Sequence, residues 1–180
     1  SFQAAEPTST SLAVTGNWSS PASWNGGILP VAGDTVYIIN GANITLDQVA
    51  SVKAILINTG GTLNIGSQTL SLTGINDSIG NVSLYGTLNL NSGTINLTGI
   101  WNNNGTFSCG TGTVNFDGEF EQAIEGSSLS VFYNLYNNNP NTTGTNGISS
   151  HPVSVTIKGN FIQNGQFHRN SNGNPDATVI

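Results

Sequence analysis

A Gly-Thr-apolar triplet recurs along this chain, twice at the same spacing, and that repeat limits the possible folds more than any other feature. Gly86 and Gly105 are separated by the same interval as Gly93 and Gly112. Repeats of about 20 residues are typical of solenoids, in which each coil buries its apolar face against the next coil. The interval between these glycines is of that length. The five copies are Gly61-Thr62-Leu63, Gly86-Thr87-Leu88, Gly93-Thr94-Ile95, Gly105-Thr106-Phe107 and Gly112-Thr113-Val114.

The residues between these glycines alternate between apolar and polar types. Leu88-Asn89-Leu90 and Ile95-Asn96-Leu97 show this period of two, which is typical of strands with one buried face. Segment 159–167 echoes segment 99–107, at a distance of about three such coils. The chain is therefore predicted to be all-β, a right-handed parallel β-helix with about 19–20 residues per coil. Stacked Asn side chains are expected to form hydrogen-bonded ladders on such a solenoid.

The chain divides into a start of irregular sequence and a long regular part. Residues 1–35 contain Trp18 and Trp24 and are predicted to cap the first coil, because apolar side chains at the end of a solenoid need a cover. An alternative role for the two indoles is to stack against the rings of a bound sugar. Residues 36–180 are predicted to form the coils and to continue in a longer natural chain. A loop near 137–152 is expected to project from one corner.

The charge balance excludes several classes of partner. The sequence has only 3 Lys and Arg against 9 Asp and Glu, a net charge of −6. Binding to nucleic acid or to an anionic membrane surface requires clustered Lys and Arg side chains, so both are excluded as partners. No apolar run approaches the roughly 20 residues of a membrane-spanning helix. Cys109 is the single cysteine, so the chain can form no intrachain disulfide. No cofactor is predicted.

One group of carboxylates is the candidate for chemistry. If segment 117–121 is a strand, Asp117, Glu119 and Glu121 share one face, with neighbours about 6–7 Å apart. That spacing suits oxygen ligands for Ca²⁺ or the carboxylate pair of an inverting glycosidase. The same residues also serve as a solvated outer face that keeps a rod soluble, which is the simpler interpretation. No catalytic residue is assigned.

An enzymatic alternative remains open at the far end of the chain. Polysaccharide lyases use parallel β-helices with a Lys or Arg base, and Lys158, His168 and Arg169 lie close together in sequence. The simpler interpretation is that these are exposed polar residues without a catalytic role. The fold alone does not establish an activity. The prediction is that this segment is not an enzyme.

Two runs of residues resemble parts of large surface β-helix proteins of the Bacteroidota. The resemblance implies removal of a signal peptide, export by the type IX secretion machinery and an extracellular or cell-surface location. Members are often adhesin-like. The first run comprises Trp18, Trp24, Gly26-Gly27, Pro30, Gly33-Asp34, Val36 and Ile38, and the second comprises Val114-Asn115-Phe116-Asp117-Gly118, Gln122, Ile124, Gly126, Phe132 and Asn134-Leu135.

The same resemblance suggests a modification. Asp34-Thr35-Val36 and Asp77-Ser78-Ile79 match the short Asp-Ser/Thr-apolar pattern of O-glycosylation in these bacteria, so Thr35 and Ser78 are candidate acceptors. The predicted function is a structural and adhesive segment of an exported surface protein, with glycans or other cells as possible partners. The alternatives are a carbohydrate-active enzyme of the lyase or glycoside hydrolase kind, or a glycan-binding module.

Overall fold

The computed structural model describes most of the chain. The described residues are 7–74, 80–140, 148–150, 155–165, 167–169 and 178–179. They form 22 short strands, numbered β1–β22 in chain order, and two 3-10 turns at Pro21–Ser23 and Asn25–Gly27. Every strand pairing given for these residues is parallel.

The strands stack into long parallel sheets, here called sheets A to D. Sheet A contains β1 (Thr8–Thr10), β3 (Thr35–Ile38), β6 (Ala54–Ile57), β9 (Val82–Leu84), β12 (Trp101–Asn103), β15 (Gln122–Glu125), β18 (Ile148–Ser150) and β21 (Phe167–Arg169). Sheet B contains β2 (Thr15–Asn17), β4 (Asn43–Thr45), β7 (Thr62–Asn64), β10 (Thr87–Asn89) and β13 (Thr106–Ser108). Sheet C contains β5 (Ala50–Val52), β8 (Thr69–Leu72), β11 (Thr94–Leu97), β14 (Thr113–Phe116), β17 (Asn134–Asn137) and β20 (Phe161–Gln163). Sheet D contains β16 (Ser130–Phe132), β19 (Val155–Ile157) and β22 (Thr178–Val179).

Each coil passes from sheet A to sheet B and then to sheet C, as β6, β7 and β8 do, and sheet D takes the place of sheet B from β16 onward. Strand β10 pairs with β13 in the register Thr87 to Thr106, and β11 pairs with β14 in the register Thr94 to Thr113. Both registers place one Gly-Thr-apolar triplet directly on the next, as the triplet spacing predicts. The predicted all-β fold of stacked parallel coils is confirmed.

The interior is built from the apolar positions of the alternating pattern. In strands such as β11 and β14, every second side chain is buried while its neighbours remain partly exposed. Burial of each such Leu, Ile or Val stabilises the coil by about 1.5–3 kcal/mol relative to exposure. The largest fully buried side chains include Trp18, Trp24, Trp101, Phe116 and Phe132. One continuous core therefore runs through the stacked coils.

Coil length varies more than the regular repeat predicts. Asn64 of β7 pairs with Asn89 of β10 at a sequence separation of 25, whereas Asn96 of β11 pairs with Asn115 of β14 at a separation of 19. Between β3 and β19 the three longest connections, 73–81, 117–121 and 138–147, all lie where the chain passes from sheet C to sheet A. We call this edge of the solenoid the C–A corner. Between β3 and β19 the longer connections lie at this corner, and they leave the strand registers on both sides unchanged.

The parallel sheets begin inside the segment that the sequence predicts as a cap. Strands β1 and β2 pair in parallel with β3 and β4. The expected boundary near residue 36 is therefore too late. Thr8-Ser9-Thr10 carries no apolar side chain to show the strand pattern, and its inward residue is Ser9, whose hydroxyl donates a 2.6 Å hydrogen bond to Asp34 Oδ2. Trp18 and Trp24 are both part of the buried core cluster, and their role as a cover of the first coil stays a prediction.

Asparagine side chains form the expected ladders on the outer surface. Along sheet C, Asn96 donates to Ser71, Asn115 to Asn96, Asn138 to Asn115 and Asn164 to Asn138, with the last two bonds at 2.7 Å. A second ladder on sheet B joins Asn89 to Asn64 and Asn64 to Asn43. Each ladder connects successive coils, so it supports the register that the backbone hydrogen bonds set.

The corner between sheets B and C repeats one backbone conformation, which gives a test of coil stacking. Gly66, Asn91 and Gly110 have φ of 67°, 55° and 53° at corresponding places in three coils. Asn tolerates this left-handed region. A Cβ at residue 66 would meet only Leu46 O at 3.9 Å, whereas one at residue 110 would overlap the backbone of Asn91, including its Cα at 2.7 Å. We expect Gly66→Asn to lose no more than about 1 kcal/mol, the strain of an Asn in the left-handed region without a clash between coils.

The matched variant Gly110→Asn is expected to lose about 1–3 kcal/mol, because its side chain forces two coils apart. Urea unfolding of the two variants followed by circular dichroism measures the difference. Equal losses in both variants would show that backbone strain, and not the contact between coils, limits this corner.

Candidate functional site

The C–A corner carries the most exposed aromatic side chain among the described residues. Segment 117–121, the corner loop, leaves the end of β14 and enters β15. Phe120 at its tip is 57% exposed, and the loop also displays the carboxylates of Asp117, Glu119 and Glu121. Loops on a rigid scaffold often carry binding residues, which makes the exposed Phe120 ring a candidate contact.

Two buried amide side chains hold the corner loop in place. Gln122 Oε1 accepts a 3.1 Å hydrogen bond from Gly118 N, and Gln122 Nε2 donates to Leu97 O at 2.8 Å. Asn139 Nδ2 donates to Phe120 O at 2.7 Å. Both amides are fully buried. Because buried hydrogen bonds are costly to break, the loop backbone is fixed while the Phe120 ring remains exposed.

The neighbouring coil supports the same corner. Thr98 Oγ1 accepts hydrogen bonds from Gly74 N at 3.2 Å and Gly80 N at 3.0 Å. These two amides lie near the two ends of the longer connection 73–81, so Thr98 holds both of its ends. Gly118 lies close above: a Cβ on it would overlap Thr98 O. The corner therefore consists of stacked connections whose bases are packed and hydrogen bonded.

The calcium hypothesis on Asp117, Glu119 and Glu121 rests on a strand that the structure does not contain. Strand β14 ends at Phe116 and β15 begins at Gln122, so the three carboxylates lie on a loop and are not aligned on one strand face. In the part of the chain that the structure describes, no three His, Cys, Asp or Glu side chains are grouped so that they could hold a metal ion. The carboxylate pair of an inverting glycosidase is predicted from the same strand spacing, so that hypothesis loses its geometric basis as well.

Two aspartates differ in the direction of their pKa shifts. Burial raises the pKa of Asp117 above its usual value of 3.8, against the effect of a hydrogen bond from its own amide, although more than a third of the residue stays exposed. At Asp47 the Ser19 hydroxyl, which donates a 2.5 Å hydrogen bond, lowers the pKa. Compared with the unfolded chain, the folded protein therefore favours the neutral form of Asp117 and the charged form of Asp47.

These directions predict opposite effects of pH on two matched variants. Because the folded pKa of Asp117 is raised, its contribution to stability is lost as pH rises above about 4. Asp117→Asn should then be slightly more stable than the parent at pH 7, by no more than about 0.5 kcal/mol at this partly exposed site. Asp47→Asn should instead lose stability above its lowered pKa. Urea unfolding at several pH values measures both. Two curves parallel to that of the parent chain would contradict the assignments.

The other predicted site residues do not converge. Trp18 and Trp24 are each 1% exposed, their rings pack edge to face at 5.0 Å, and Trp24 Nε1 donates to Trp18 O. No indole face is therefore available to a sugar, and the stacking alternative is wrong for this conformation. Thr35 is half-buried in a central strand of sheet A, and Ser78 lies outside the described residues.

The structure describes the side chain of only one of the three residues considered for a lyase site. Lys158 is exposed just beyond β19, and His168 and Arg169 belong to β21, with side chains outside the description. The sequence analysis names Gln122 only as part of the family resemblance and does not name Asn139, although both side chains hold the corner loop. The available signal was their position: each polar amide occupies a place where an inward apolar residue is expected.

A parallel β-solenoid with one elaborated corner is a structural class that many unrelated activities share. Residues 23–160 match the G8 domain family, and because this match covers more than half of the sequence, the chain belongs to that family. The G8 domain is typically found in extracellular proteins. No curated protein and no solved structure shows a significant match. Among the described residues, no helix is long and apolar enough to cross a bilayer.

Proposed function

We propose that this chain is a structural, adhesive segment of an exported cell-surface protein and that it presents binding loops along the C–A corner. The observation that carries the proposal is the placement of the three longest connections between β3 and β19 at that one corner, with the exposed ring of Phe120 on a fixed loop. Loops on a rigid scaffold commonly bind partners. The rest of the solenoid then acts as a spacer.

The proposed route to the surface is removal of a signal peptide and passage through the type IX secretion machinery of a Bacteroidota cell. The sequence resemblance described above supports this route, and so does the usual occurrence of G8 domains in extracellular proteins. Surface labelling of intact cells with an antibody, in the parent strain and in a strain without the secretion machinery, tests it. Equal labelling of both strains would contradict the proposed route.

Glycans or the surfaces of other cells are the proposed partners. Nucleic acid and membrane lipid are not proposed, because the chain has 3 cationic side chains against 9 carboxylates. The corner loop itself carries three carboxylates and no cation, so electrostatic repulsion disfavours strongly anionic glycans. Neutral or cationic surfaces fit the loop better.

Adhesion through the corner loop predicts the behaviour of Phe120→Ala. Central aromatic side chains often contribute about 2 kcal/mol or more to an interface, so the variant should bind at least roughly tenfold more weakly to the glycan or cell type that the parent protein binds. A glycan array followed by cell-binding assays with the full-length protein measures this. Tyr85→Ala is the matched control, since Tyr85 is 46% exposed but lies between sheets A and B.

Two results would contradict the proposal. One is unchanged binding by Phe120→Ala together with a loss of binding by Tyr85→Ala, which would place the contact elsewhere. The other is cleavage of a polysaccharide by the purified chain, because the proposal assigns no catalysis to this segment.

A further inference from the structure

Asn-Gly pairs are the sites where proteins most readily lose an amide by an internal reaction. The glycine nitrogen attacks the Asn side-chain carbon, which needs a mobile Asn side chain and a free glycine amide. Glycine favours the reaction because no Cβ hinders the approach. The described part of this chain contains four such pairs: Asn25-Gly26, Asn40-Gly41, Asn104-Gly105 and Asn164-Gly165.

Three of these pairs are held by the solenoid. The Gly41 amide donates to Gly60 O at 3.1 Å, so its nitrogen is engaged in the contact between coils. Asn104 is held more firmly: its Nδ2 donates to Asn102 Oδ1, and its Oδ1 accepts hydrogen bonds from both the amide and the hydroxyl of Ser127 at 3.0 Å.

Asn164-Gly165 is fixed at both ends. Asn164 Nδ2 donates to Asn138 Oδ1 at 2.7 Å as the last member of the sheet C ladder, and Gly165 N donates to Asn137 O at 3.1 Å. A reaction at this pair must first break hydrogen bonds to the preceding coil. Each bond of about 1 kcal/mol that must be broken slows the reaction by roughly fivefold to tenfold.

Asn25-Gly26 lacks these constraints. Asn25 is exposed in the short turn below the first coils, and neither its side chain nor the Gly26 amide makes a hydrogen bond within the described part of the chain. Gly26 has φ of 71°, and a Cβ built on it would meet nothing within 4 Å. The space that the reaction needs is therefore open on both sides of this peptide bond.

We infer that Asn25 is a site of spontaneous deamidation and that the native fold protects the other three described pairs. Gly26 N bonds to Asn25 Cγ, the bond from Cγ to Nδ2 breaks, and ammonia leaves. Water then opens the five-membered imide at either carbonyl and gives aspartate or isoaspartate. The product adds one negative charge to a chain of net charge −6. In the isoaspartate form it also lengthens the backbone beside Trp24, which is 1% exposed in the core.

The experiment is peptide mapping by mass spectrometry after incubation of the folded protein at mildly alkaline pH. We expect conversion of Asn25 at least about fivefold faster than conversion of Asn40, whose pair is held by one hydrogen bond, and at least about tenfold faster than conversion of Asn104 or Asn164. The same incubation in concentrated urea is the control, because unfolding removes the protective hydrogen bonds. There the four pairs should react at similar rates.

A second variant keeps the proposal testable. Asn25→Gln is exposed and should fold normally, and it should lose the conversion at residue 25 because a glutamine must close a larger ring. Rates in the folded protein that are as fast at Asn104 or Asn164 as at Asn25 would overturn the inference. So would an Asn25 that stays intact in the folded protein and reacts in urea.

Discussion

Gly86→Ala is expected to destabilise the solenoid by about 1–3 kcal/mol or more, because added atoms in a close-packed contact force the backbone to shift. A Cβ at residue 86 would overlap the carbonyl oxygens of Asn58 and Gly61 in the coil below and would lie 2.9 Å from Ile57 Cγ2. The glycine of the repeated triplet therefore allows the coils to approach to the spacing of hydrogen-bonded strands, about 4.8 Å. Thermal and urea unfolding followed by circular dichroism measures the loss.

The control for this variant is Thr87→Ala on the neighbouring residue. Thr87 points outward in β10 and is only partly buried, so its truncation should cost no more than about 1 kcal/mol of strand preference. If Gly86→Ala is as stable as Thr87→Ala, the close approach between coils is not what fixes glycine in the triplet.

Trp101→Ala is expected to have the largest effect of any single substitution proposed here, a loss of about 3–5 kcal/mol. The Trp101 side chain is completely buried in β12, with ring centroids 4.7 Å from Phe107 and 5.4 Å from Phe132. Its Nε1 donates a 3.1 Å hydrogen bond to Ser130 Oγ. Truncation leaves a cavity between β12, β13 and β16, and that cavity cannot collapse while the coils keep their register.

Trp101→Phe separates the two contributions. It keeps an aromatic ring and removes the hydrogen bond, so its loss should be smaller than that of the alanine variant. Tyr85→Ala serves as the surface control and should change the free energy of unfolding by about 0.5 kcal/mol or less. Urea unfolding curves give all three values. An alanine variant at residue 101 that is as stable as the control would show that this part of the interior is loosely packed.

The repeated strands could be predicted from the sequence because their pattern is local. Period two in Leu88-Asn89-Leu90 sets which side chains face inward, and the regular spacing of the triplets sets the register of β10 on β13. Where the pattern lacks apolar residues, the prediction was wrong. Thr8-Ser9-Thr10 forms a strand of sheet A because it pairs with β3, and only that pairing identifies it.

The candidate site was only partly accessible to the same reasoning. The sequence identifies the carboxylates of the corner loop but predicts them on one strand face, because Asp117, Glu119 and Glu121 have the spacing of alternating strand residues. In the structure Phe116 is buried and Phe120 is exposed. The difference arises because Gln122 and Asn139 hold the loop out of the sheet, and contacts between residues 17 positions apart cannot be read from a local pattern.

The sequence by itself determined the repeat, the parallel strands and the apolar core, since a solenoid coil depends on neighbours that carry the same pattern. Only the tertiary structure decided which corner carries the longer connections between β3 and β19, which polar side chains are buried, and which of the four described Asn-Gly pairs is left unprotected. Those properties depend on hydrogen bonds between coils, such as that from Asn164 to Asn138. They form only once coils of unequal length have stacked.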